Sequence, residues 1–107
     1  MKQLPPTALH EWLADEGRNN PILLDVRESW EFQTCRIDGS RLIPMREIAD
    51  RLHELDAEQE VVVICHHGVR SFQVSIFLDH SGFRNVYNLQ GGVDAWARDV
   101  DPNMPKY

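Results

Sequence analysis

Val61-Val62-Val63-Ile64 is an uninterrupted β-branched run. Such a run suits a strand buried on both faces, the environment of a parallel sheet covered by helices. It stops at Cys65, and His66-His67-Gly68-Val69-Arg70-Ser71 follow before an amphipathic pattern begins. The order reads as a strand that delivers one thiol into a tight loop, with a helix directly behind it. A helix N-terminus carries unpaired N–H groups and a partial positive charge. A thiol held there tends toward the thiolate, which is the nucleophilic form.

The rest of the chain alternates in the same way. Thr7 reads as the N-cap of a first helix carrying Ala8, Leu9, Trp12 and Leu13 at helical spacing, closed by Gly17. Ile22 to Val26 reads as a short buried strand. Ser29 reads as the cap of a brief helix through Thr34, and Arg41 to Pro44 as a short extended segment. Ile48, Leu52 and Leu55 recur at i, i+4, i+7 and predict a third helix. A helix runs from the Cys65 loop toward Gly82, Asn85 to Leu89 is a further strand, and Val93 to Arg98 a last helix. Asp101 to Tyr107 is irregular, and a frayed end is its simplest account. The expected fold is a single α/β domain over residues 1–107. Its mostly parallel central sheet has about five short strands, with helices on both faces. Sites in such sheets lie outside the carboxyl ends of the strands, where Cys65 falls.

The formal net charge is −6 and the sequence pI near 5.2, which argues against nucleic acid or an anionic membrane as partner. An anionic substrate must then be drawn by a local positive site. No apolar stretch is long enough to span a bilayer, and the first residues lack a signal-peptide core, so a cytoplasmic setting is expected. Cys35 and Cys65 do not make a disulfide framework and read as two free thiols.

The loop offers what chemistry on an anion requires. Cys65 is its nucleophile. Successive backbone N–H groups in a tight turn form an anion-binding nest, and Gly68 permits the turn and a close approach. Arg70 supplies positive charge. His66 and His67 shape the pocket mouth; consecutive residues in a tight loop rarely converge on one ion, so neither a metal nor a cofactor is expected. His10, His53 and His80 fall on helices and read as solvated. Asp25 and Glu31 read as structural, with Arg27 a candidate for anion contact. Cys35 reads as a packed thiol, and Trp12, Trp30 and Trp96 as core or rim packing.

At these residues the chain resembles the single-domain rhodaneses, thiosulfate sulfurtransferases. Leu24-Asp25-Val26-Arg27-Glu28 with Glu31-Phe32, Ile37-Asp38-Gly39-Ser40 with Ile43-Pro44, and Cys65 to Ser71 match the family pattern. So do Gly82-Phe83 with Val86, and Leu89 with Gly91-Gly92 and Trp96. Cys35-Arg36 stands where the family usually has Gly-His. The resemblance implies that Cys65 takes sulfur from a small anionic donor such as thiosulfate and passes it to cyanide or a thiol through a persulfide. It implies that His66, His67, Gly68, Val69, Arg70 and Ser71 line the substrate site. A protein that donates or accepts the sulfur fits the same chemistry. Four residues separate Cys65 from Arg70. Phosphatases of the related cell-cycle type and arsenate reductases resembling them carry one more, so this shorter cradle favours sulfur over a tetrahedral phosphoryl group.

Overall fold

The computed structural model describes residues 1–107. Five strands, β1 (Lys2–Leu4), β2 (Ile22–Asp25), β3 (Arg41–Leu42), β4 (Val61–Ile64) and β5 (Val86–Leu89), form one sheet in the order β1-β5-β4-β2-β3. Every pair is parallel. The helices are α1 (Pro6–Ala14), α2 (Ser29–Thr34), α3 (Val69–His80) and α4 (Gly92–Asp99).

The β-branched run is the central strand, and all four of its residues are 0% exposed. Its alternation divides the core. Val62 and Ile64 pack with Leu9, Trp12, Val93 and Trp96 on the face covered by α1 and α4. Val61 and Val63 pack with Ile48, Val74, Leu78 and Phe83 on the other face. Because all strands run the same way, the segments leaving β2, β4 and β5 share one rim. The chain beyond β2 and the helix beyond β4 depart to opposite faces: Cys35 and Ile37 join the first cluster, Val74 and Leu78 the second. The crevice between two neighbouring strands that part in this way is where open α/β sheets bind ligands.

Several local expectations are corrected. The helix predicted from Ile48, Leu52 and Leu55 is instead a pair of 3₁₀ segments, Met45–Glu47 and Ala49–Glu54, with a non-helical Arg51 (φ −119°, ψ 16°). The apolar spacing still buries Ile48 and Leu55, while Arg51 is drawn off the helical path toward Glu47 and Glu54. α1 starts at Pro6 with Pro5 as its cap, not Thr7, and β2 ends at Asp25. The cap of α2 is Glu28: a capping box joins the Glu28 and Glu31 side chains to each other's backbone N–H groups. β1 was not expected; it pairs with β5 at the sheet edge and is mostly exposed, so no apolar pattern marks it. The tail after α4 has no regular structure, yet it is docked rather than frayed, with Met104 buried in the first cluster. Trp12 and Trp96 are core residues, whereas Trp30 is 61% exposed and meets Tyr107 edge to face. No helix is long and apolar enough to cross a membrane.

Candidate active site

β4 carries Cys65 to the sheet rim, where its side chain is buried against the start of α3. The Gly68 N–H donates to Cys65 Sγ at 3.1 Å, and the Ser71 hydroxyl lies 3.2 Å from the same sulfur. Gly68 caps α3 at φ 94°, a left-handed conformation that turns the chain back over the thiol. The N–H groups of Val69, Arg70 and Ser71 bond no protein acceptor, as expected in a first helical turn. These donors and the positive end of α3 surround the sulfur with groups that stabilise negative charge.

The loop is braced from below by the first turn of α4. Val93 N–H donates to Cys65 O at 2.9 Å and Asp94 N–H to His66 O at 3.0 Å. This contact is too close for a side chain: a Cβ on Gly92 would stand 2.4 Å from both carbonyl oxygens. Gly91-Gly92 is therefore the seat of the loop. Asn88 Nδ2 donates to Gly68 O at 3.2 Å and ties the other end of the loop to β5.

Arg70 does not stand free over the loop. Its two terminal nitrogens donate to Glu31 Oε1 and Oε2 at 2.7 and 2.8 Å, a bidentate pair joining α3 to α2. These bonds hold the Glu31 carboxyl at about 2 against an ordinary 4.5, with the Glu28 backbone and Tyr107 hydroxyl adding to the effect against the opposing cost of burial. The folded-state value is depressed. The contribution to stability is therefore full above the unfolded-state value and is lost as pH falls through 4.5 toward 2. Glu31→Gln is expected to cost on the order of 2 kcal/mol near neutrality, allowing for the solvent around Arg70. Urea unfolding of both proteins should show that difference shrinking below pH 4.5; a difference independent of pH would contradict the assignment.

Arg27, a candidate for anion contact on sequence, is corrected to a buried structural residue at 0% exposure. Its guanidinium donates to both Asp25 carboxylate oxygens, to Cys35 O at 2.6 Å and to the Tyr107 hydroxyl at 2.8 Å. Nothing remains to meet a substrate. Asp25 and Glu31 are structural, as expected. Cys35 is a buried free thiol whose sulfur faces Arg27 Nη1 at 3.7 Å.

Tyr107 was missed. Its hydroxyl accepts from Arg27 and donates to Glu31 Oε2 at 2.8 Å, and its ring stacks on His66 at 3.9 Å with a 14° tilt. Burial pushes this hydroxyl up, so it stays protonated and able to donate. The tail thus reaches back to the same network that holds Arg70. His66 lies between Tyr107 and His67, and burial, then the neighbouring His67, pull its imidazole below the ordinary value. His67 is exposed. Asp94, also missed, lies beside both histidines: the ligand atoms of the three residues are all within 4.8 Å of one another. Convergence of the β4 loop with the first turn of α4 left no spacing signal in the sequence.

Residues 6–99 match the family model of the rhodanese-like domain, and the chain belongs to that family. It is 37% identical over 112 residues to the Rhodanese-like/PpiC domain-containing protein 12, chloroplastic, of Arabidopsis thaliana. That match takes in all of this chain but only 38% of the plant protein, so the chain corresponds to one part of that longer relative. It is 33% identical over 95 residues to the thiosulfate sulfurtransferase GlpE of Pseudomonas syringae, covering 89% of this chain and 86% of that one. The crystal structure of SSP1007 from Staphylococcus saprophyticus superposes with a TM-score of 0.84 at 32% identity, covering 94% of this chain and 97% of that one.

Proposed function

We propose that this protein is a sulfurtransferase that moves a sulfane sulfur from thiosulfate, or a similar small anion, to cyanide or a thiol through a persulfide on Cys65. In the first step the Cys65 thiolate attacks the outer sulfur of thiosulfate. A new S–S bond forms, the old one breaks, and sulfite leaves with the bonding pair. In the second step the acceptor attacks the terminal sulfur of the persulfide, and Cys65 departs as thiolate. The observation that carries this reading is the sulfur of Cys65 at the head of α3, with the Gly68 N–H at 3.1 Å and the Ser71 hydroxyl at 3.2 Å. The same donors suit the terminal sulfur of a persulfide, which carries the negative charge between the two steps. His66, His67, Val69 and Arg70 complete the surroundings of the donor in this proposal. The name of the Pseudomonas relative supports thiosulfate as donor.

A protein-to-protein sulfur carrier is the second reading. It is favoured by Val69, Phe72 and Ile76, large apolar residues exposed along α3 directly behind the loop. A phosphatase or arsenate reductase using the same loop is disfavoured by the short span from Cys65 to Arg70. Rates with thiosulfate and cyanide, with arsenate and with an aryl phosphate separate these chemistries. Sulfur transfer is expected to exceed the other two, with ping-pong kinetics. Faster hydrolysis of the aryl phosphate, or faster arsenate reduction, would overturn the proposal.

A further inference from the structure

Three metal-ligating side chains at the loop mouth have no place in the sulfur-transfer steps in a ligating role. His66 and His67 come from the loop after β4, and Asp94 from the first turn of α4. Their ligand atoms lie within 4.8 Å of one another. Neither imidazole and neither Asp94 carboxylate oxygen takes part in a hydrogen bond or ion pair within the protein, whereas nearby Glu31, Asp25 and Arg27 are fully engaged. The three donors converge with no partner inside the protein and are open to solvent on one side.

We propose that His66, His67 and Asp94 form a binding site for a first-row divalent transition metal of the zinc class. Two imidazoles and one carboxylate are borderline ligands, suited to Zn²⁺ and poorly suited to Mg²⁺ or Ca²⁺, which take oxygen sets. Bonds of about 2.0–2.1 Å place ligand atoms roughly 3.4 Å apart around a tetrahedral ion. The His66 and His67 rings now stack at 3.9 Å with a 30° tilt, so binding requires the exposed His67 ring to turn out of that stack and the half-buried Asp94 carboxylate to swing toward it. The two backbones are already joined, with Asp94 N–H on His66 O at 3.0 Å and Val93 N–H on Cys65 O at 2.9 Å. A fourth position remains for water or an external ligand. A bound ion would fasten the Cys65 loop to α4.

The test is calorimetric titration of ZnCl₂ into the full chain without a histidine tag, in a Cys65→Ser background that removes the reactive thiol from contention. One equivalent is expected to bind. Asp94→Asn and His67→Ala, each shown to be folded by circular dichroism, are each expected to weaken it at least about tenfold, since even outer partners of a metal ligand are worth roughly 10–100-fold. Affinity unchanged by both substitutions, or no saturable binding, would overturn the site. So would binding present in the wild type and lost in Cys65→Ser, which would assign the metal to the thiol. The readout is independent of sulfur transfer, so the site and the proposed activity fail separately.

Discussion

Cys65→Ser is expected to keep the fold and lose turnover with thiosulfate and cyanide by at least about a thousandfold, as loss of a covalent nucleophile does. The substitution changes one atom. A serine oxygen in that place still faces the Gly68 N–H and the Ser71 hydroxyl, so the loop keeps its contacts. What is lost is the polarisable sulfur that, in the proposed mechanism, forms and releases an S–S bond. Cys35 cannot take over: it packs in the cluster on the opposite face of the sheet from Cys65, with its sulfur against Arg27. The thermal midpoint should move by no more than a few degrees. Substantial turnover in the variant would mean that the sulfur passes through another group.

The second large effect is on stability. Gly92→Ala places a Cβ 2.4 Å from the carbonyl oxygens of Cys65 and His66, both backbone atoms that cannot swing aside. The residue also holds φ at 61°, which disfavours any side chain. Relief requires lifting the loop off α4 and breaking the bonds from Val93 and Asp94. The expected cost is about 2–4 kcal/mol, in the range of overpacking combined with backbone strain. Gly39→Ala separates the two causes: Gly39 has φ 83° and nothing within 4 Å of its would-be Cβ. It should cost about 1–2 kcal/mol, from strain alone. Chemical unfolding of the two variants checks this. Equal costs would show that the loop and α4 are less closely seated than described.

What could be read from the chain follows the range of the forces involved. Val61 to Ile64 announced a doubly buried strand because burial on two faces selects every residue of the run. The Cys65 loop was legible because its strand, its glycine and its helix are neighbours in sequence. Ile48, Leu52 and Leu55 showed which side chains turn inward but not the backbone that carries them, since 3₁₀ segments with a break at Arg51 bury nearly the same set. β1 gave no signal because an exposed edge strand of three residues has no face to pattern. Arg27 looked free for an anion because its partners Cys35 and Tyr107 come from other parts of the chain. Tyr107 and Asp94 were invisible for the same reason: each reaches the site only through tertiary packing, from a tail without periodicity and from the turn of another helix.

In the proposed reaction sulfur rests on Cys65 between donor and acceptor. Intact-mass measurement of the full chain after exposure to thiosulfate, followed by peptide mapping, tests it most directly. A gain of one sulfur atom located on Cys65, its removal by cyanide, and no gain in Cys65→Ser are expected. Sulfur found on Cys35, or no adduct on the wild type with several sulfane donors, would contradict it.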